Sequence, residues 1–176
     1  NNTLQCIRAQ SYKGQVTYEN SRFDFAGVDE NGNEFILEVK AVPVADYHNV
    51  SKQEKKKMIK ENTFVNREPE RKIAIFPDGY IKPSKVPVPQ SERANKHILE
   101  LTHIKQTTQK RTLMMYVVQR SDVDSFVLSE LDPIYKENVR LAKDAGVELY
   151  YIVMNWSLEG DNTIKGDIIK EEHVVI

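Results

Sequence analysis

Asp24, Glu38 and Lys40 are the residues of this chain whose types and spacing best fit a chemical step. Glu38 and Lys40 sit two apart in a run that reads as a strand, so alternation places both on one face while Phe35, Leu37 and Val39 take the other. Asp24 lies on a preceding apolar run, and the two runs flank Asn31-Gly32-Asn33, residues that tolerate the backbone of a hairpin turn. If the loop holds an odd number of residues, Asp24 falls opposite Lys40 and Ala26 opposite Glu38, and all three groups share a face. A two-residue Asn-Gly turn would instead throw the aspartate to the opposite side, because a one-residue slip flips every side chain. The odd loop, or a bulge, is therefore expected. Two converging carboxylates form a hard oxygen site for Mg2+ or Mn2+, to which the Val39 carbonyl can add a ligand. Lys40 beside such an ion would orient or help deprotonate an attacking water while the metal stabilises charge on phosphorus. That is phosphodiester hydrolysis. The same Glu-x-Lys spacing also suits a plain solvated strand face.

The elements that must hold these groups follow from the apolar patterning. The hairpin arms run from about Arg22 to Val28 and from Glu34 to Lys40. Residues 46–72 form a polar stretch with a short helix around "SKQEKKKMIKEN", followed by a strand from Arg71 to Phe76 that Pro77-Asp78-Gly79 ends. "IKPSKVPVP" is an extended loop, since its prolines lack amide donors. Ser91 caps a helix on which Ala94, Ile98, Leu101 and Ile104 form one apolar stripe. "TLMMYVVQ", Thr112 to Gln119, is apolar enough for a central strand covered on both faces. A second helix starts at Asp132-Pro133 and stops at Gly146, and "VELYYIVM" supplies a last buried strand. The expected architecture is an α/β fold with one mixed central β-sheet flanked by helices.

Composition narrows the classes. The chain has 176 residues, 40% hydrophobic and 29% charged, which suits one globular domain over 1–176. Lys and Arg number 25 against 26 Asp and Glu, a formal net charge of −1, so any nucleic-acid face must be local. A lone cysteine, Cys6, excludes an internal disulfide framework and a multi-cysteine zinc site. No apolar run is long enough to span a membrane, which points to an intracellular protein, cytoplasmic or with nucleic acid. Asn1 in place of Met reads as a trimmed end. The scattered glycines form neither a phosphate-binding loop nor a dinucleotide fingerprint.

The segments "SRFDF", "EVK", "FPD", "SERANKHILEL", "YVVQRSDVDSF", "LDPIYKENVRLAKDAGVE" and "SLEG", in this order, resemble the sugar fermentation stimulation protein A family over about residues 15 to 160. The resemblance implies a restriction-endonuclease-like core of the PD-(D/E)XK nuclease type. In it Asp24, Glu38 and Lys40 match the metal-binding and catalytic triad. Other family positions fall on Ser21, Arg22, Asp78, Ser91, Arg93, Lys96, His97, Gln119 and Arg120. Arg22, Arg93, Lys96, His97, Gln119 and Arg120 are the expected nucleic-acid contacts, with a solvated face or a structural pair as the plainer role; for Arg120 that pair is Asp122 or Asp124. Asp78 is a candidate member of the acidic cluster, and Ser91 a helix cap at the rim of the site.

Three departures from the family pattern carry expectations of their own. The family's small N-terminal oligonucleotide-binding barrel has no counterpart before Ser21. Gln15 stands where the family often has Glu, which keeps an acceptor but loses a charge, so a second metal would bind less well. Residues 46–72 and 80–90 read as insertions, and lysines 52, 55, 56, 57 and 60 in the first make it a candidate substrate surface diluted by Glu54 and Glu61. The expected activity is a Mg2+- or Mn2+-dependent nuclease acting on DNA more than RNA. The alternative is a weakly catalytic or non-catalytic DNA-binding or regulatory protein on the same fold.

Overall fold

The computed structural model describes residues 4–64, 72–77, 88–160 and 163–176. The first three strands are β1 (Ala9–Tyr18), β2 (Ser21–Asp29) and β3 (Glu34–Val42). They form an antiparallel meander at one side of a six-stranded sheet. The short strand β4 (Ala45–Asp46), helix α1 (Lys52–Lys60) and strand β5 (Lys72–Phe76) follow. Then come α2 (Glu92–Thr107), β6 (Arg111–Val118), β7 (Val123–Leu128), α3 (Pro133–Asp144), β8 (Glu148–Glu159) and β9 (Thr163–His173).

The large sheet has the order β1-β2-β3-β6-β8-β9, parallel through β3, β6 and β8 and antiparallel at both sides. The strand β6 is wedged at its centre because it is apolar on both faces. Met114, Tyr116 and Val118 point into the main core, while Leu113 and Met115 enter a second, smaller core on the reverse face. The expected mixed sheet with flanking helices is therefore present. The strands β4, β5 and β7 do not join it, however, and form a separate three-stranded sheet. Their buried residues Ala74, Phe126 and Leu128 cover the main core from the helix side. The cause of that departure lies in β6, whose two neighbours are already β3 and β8, leaving no free edge for β5.

Helix α2 carries Ala94, His97, Ile98, Leu101 and Ile104 buried along one stripe, and the Ser91 hydroxyl accepts from the Ala94 amide at 3.3 Å. Full burial of Ile98, Leu101 and Ile104 contributes about 1.5–3 kcal/mol each. Helix α3 begins where Asp132 accepts from the Tyr135 amide at 3.0 Å and Pro133 occupies the first turn. It stops at Gly146, whose φ of +95° is open to glycine without penalty. Helix α1 buries none of its residues. Its basic character is partly neutralised, because Lys55 meets Asp46 at 2.6 Å and Lys57 lies 3.9 Å from Glu61.

The β2–β3 connection departs from the expected register. The pairs are Phe25 with Leu37, Ala26 with Ile36, Gly27 with Phe35 and Val28 with Glu34. Asp24 thus lies level with Glu38, not Lys40, and Ala26 is opposite Ile36 rather than Glu38. Asp29 ends β2 and its amide donates to the Asn33 carbonyl at 2.9 Å, so the turn between them is Glu30-Asn31-Gly32, odd in number as expected but one residue earlier than Asn31-Gly32-Asn33. Asp29 explains the difference. Its Oδ1 accepts from the Asn31 amide at 2.9 Å and the Asn33 amide at 2.8 Å, which fixes the turn at this position. Parity is kept, so the carboxylates still share a face.

Candidate active site

Glu38 and Lys40 face the main core side of β3, where α2 crosses the sheet. Glu38 is 2% exposed. Its Oε1 accepts from the Lys40 ammonium at 2.5 Å and contacts Nδ1 of His97, which also lies 3.1 Å from Lys40 Nζ. One carboxylate oxygen is thereby shared by a cation and a ring. The other, Oε2, is buried and has no hydrogen-bond partner among the described residues. A buried oxygen in that state is costly, about 1–3 kcal/mol. Burial alone would raise the Glu38 carboxyl, but the His97 ring and the Lys40 ammonium outweigh it and hold the group below its ordinary value. The carboxylate is therefore ionised at neutral pH.

Asp24 comes from the strand beside it. The β2–β3 pairing extends to Phe25 and Leu37, and beyond that pair the Val39 amide donates to Asp24 Oδ2 at 2.8 Å. Asp24 Oδ1 accepts from the Gln15 side chain at 3.1 Å. Gln15 adopts a φ of +55°, an unusual left-handed conformation for a residue with a side chain. Both carboxylate oxygens of Asp24 are thus fixed in direction while each retains a lone pair.

Asp24, Glu38, Val39 and Lys40 line one cleft of about 290 Å3, closed by Phe76, Ser91, Arg93 and Ala94. Phe76 and Ala94 make that wall apolar. Among the described residues no group of three or more His, Cys, Asp and Glu side chains is placed to hold a metal. Asp24 and Glu38 supply two carboxylates, so a cation would need the Val39 carbonyl or water oxygens as further ligands. The orphaned Oε2 of Glu38 and the hard oxygen character of both groups fit such an ion.

A second cleft of about 470 Å3 adjoins the first through Arg93 and is lined by Ser21, Arg22, Lys96 and His97. Arg22 and Arg93 are exposed, whereas His97 is buried and its ring lies 5.7 Å from that of Phe23. Lys96 donates to the Asn20 carbonyl at 2.8 Å and lies 3.7 Å from Glu100.

The remaining residues singled out from the sequence have other surroundings. Gln119 is exposed just past β6, its amide donating to the Val42 carbonyl at 3.2 Å. The Arg120 guanidinium is taken by Asp122 at 2.5 and 2.6 Å, and Lys72 shares that carboxylate. Ser91 caps α2 and also borders the Glu38 cleft. Asp78 lies outside the described residues, as do residues 80–87 and 65–71 of the two expected insertions. Sequence reasoning missed Phe76 and Ala41 as cleft walls and the direct contact of His97 with both Glu38 and Lys40. No local signal carried these, since each depends on where α2 and β5 cross β3.

The family model "Sugar fermentation stimulation protein RE domain" matches residues 48–160. A sugar fermentation stimulation protein homolog of Clostridium perfringens is 32% identical over 137 residues, covering 77% of this chain and 44% of the relative. One from Alkaliphilus metalliredigens is 30% identical over 158 residues, covering 84% and 53%. The chain spans about half the length of the curated relatives it matches. Among solved structures, that of Pyrococcus furiosus SfsA in complex with Ca2+ has the same fold. Its TM-score is 0.60 at 22% identity, over 93% of this chain and 54% of that one.

Proposed function

This chain belongs to the sugar fermentation stimulation protein family, and from that premise we propose that it is a divalent-metal-dependent nuclease with a restriction-endonuclease-like PD-(D/E)XK core. It hydrolyses phosphodiester bonds of nucleic acid, DNA in preference to RNA. The observation that carries the reading is the buried, unpartnered Oε2 of Glu38 in the same cleft as Asp24 and Lys40. A fold that leaves an ionised oxygen without a donor, at a stability cost, keeps it for something that binds. The Ca2+ of the Pyrococcus furiosus structure supports a divalent cation as that something.

Asp24, Glu38 and the Val39 carbonyl would hold Mg2+ or Mn2+, which supplies Lewis-acid stabilisation of charge building on a phosphoryl group. The chain's own residues do the rest. Gln15 and the Val39 amide aim the Asp24 carboxylate. His97 and Lys40 together hold Glu38 Oε1, which leaves Oε2 as its free face. Lys40 Nζ, beside Glu38 Oε1 and His97 Nδ1, would orient the attacking water by hydrogen bonding and oppose the negative charge of the transition state. Arg93 stands at the rim, where its guanidinium can clamp a phosphate oxygen.

The test is a Mg2+ and Mn2+ titration with labelled single- and double-stranded DNA and RNA. Cleavage that requires the metal and is lost in Asp24→Ala and Lys40→Ala is the expected result. Nucleic-acid binding without turnover at any metal concentration would replace this reading with that of a binding or regulatory protein.

A further inference from the structure

Ser21, which borders the cleft beside the carboxylates, carries a second polar atom that the fold leaves stranded. Ser21 is 5% exposed, and its Oγ is buried with no hydrogen-bond partner among the described residues. It lines the 470 Å3 cleft together with Arg22, Arg93 and Lys96. Among the described residues neither Arg22 nor Arg93 has a carboxylate within ion-pair distance, unlike Arg111, Arg120 and Arg140. The wall is completed by the first turn of α2, whose amide groups and dipole present partial positive charge. Glu92 is the one carboxylate of the lining and is exposed. Two guanidiniums without a carboxylate partner among the described residues, a helix start, and a buried unpartnered serine hydroxyl at the cleft wall match the charge and donors that a phosphate group needs.

We propose that Ser21, Arg22, Arg93 and the start of α2 form a separate phosphate subsite. It takes the phosphate of the substrate strand next to the one presented to Asp24, Glu38 and Lys40. The identity of the strand rests on the nuclease reading, whereas the subsite itself does not. Arg93 borders both clefts, so a strand can enter one without leaving the other. Lys96 acts as a positioning residue here, because its bond to the Asn20 carbonyl ties the turn before Ser21 to the helix. The phosphate can be a monoester at a strand end or an internal phosphodiester.

The test reads binding in EDTA, so a chain that never cleaves still answers it. Internally labelled oligonucleotides with a 5′-phosphate, a 3′-phosphate or only hydroxyl ends are titrated, with inorganic phosphate as competitor. Arg22→Gln and Arg93→Gln are expected to weaken binding roughly tenfold or more each, and to lower the salt slope by about one. Ser21→Ala should weaken binding while leaving the melting temperature unchanged or higher, since it removes a buried hydroxyl that has no partner. A preference for one phosphorylated end that vanishes in Arg22→Gln assigns a terminal monoester; equal binding of all ends that falls in Arg22→Gln assigns an internal phosphodiester. Wild-type affinity and salt slope in both arginine variants would overturn the subsite. So would a Ser21→Ala protein that melts lower yet binds as before.

Discussion

Replacing Glu38 with Gln imitates its protonated form with almost no change in shape. At neutral pH the wild-type carboxylate accepts from Lys40 and meets His97, and a hydrogen bond to an ionised group contributes about 1.5–3 kcal/mol. Against this stands the buried Oε2 with no partner, a penalty of about 1–3 kcal/mol. The two effects leave the carboxylate ahead by about 2 kcal/mol, in agreement with its lowered pKa. For a chain of this size that corresponds to a melting temperature roughly 4–8 °C lower in Glu38→Gln. The pH dependence follows from the direction of the shift. A group depressed on folding contributes stability that is present above its ordinary value of 4.5 and lost as pH falls through the lower folded value. Thermal unfolding followed by circular dichroism from pH 7 to acid, with chelator present, should show a gap that is widest at neutral pH and closes below 4.5. A Glu38→Gln protein as stable as wild type at pH 7, or a gap that stays constant into acid, would refute this account of the site.

Tyr116→Phe should destabilise by about 1–3 kcal/mol, because it leaves the fully buried Tyr135 hydroxyl without its 2.7 Å partner. The double variant Tyr116→Phe/Tyr135→Phe should recover much of that loss in urea titrations, since both polar groups leave together. Ile98→Ala, at a fully buried position facing the sheet, should cost about 2–5 kcal/mol by urea unfolding. Arg111 bonds Asp29 and Glu148 and, with the turn amides of Asn31 and Asn33, holds the Asp29 carboxyl at about 2. The stability this provides is present above 3.8 and lost on descent toward 2, so Arg111→Gln should move the acid unfolding midpoint to higher pH.

Much of the scaffold was legible because its signals are local. The 3–4 spacing of Ala94, Ile98, Leu101 and Ile104 marks α2, the Asp132-Pro133 start and Gly146 stop bracket α3, and the unbroken apolar run marks β6 as a central strand. Alternation put Glu38 and Lys40 on one face, and the odd loop brought Asp24 to the same side. Other elements lacked such signals. The strands β1 and β9 are mostly exposed and polar, so they show no buried face of their own and form by pairing with β2 and β8. "VELYYIVM" is the last buried strand as expected, and β9 pairs beyond it without a buried residue of its own. The register of the hairpin turned on Asp29, whose side chain holds the amides of Asn31 and Asn33 while its own amide closes the turn on the Asn33 carbonyl.

What the amino-acid order determined by itself is the periodicity of each segment, and with it which side chains share a face. Only the tertiary structure decided which segments meet. It set β6 between β3 and β8, laid α2 so that His97 reaches Glu38 and Lys40, and left the Ser21 hydroxyl and Glu38 Oε2 buried without partners. The reason is physical: periodicity is settled by neighbours along the chain, whereas burial, partner choice and orphaned polar atoms follow from competition among segments far apart in sequence.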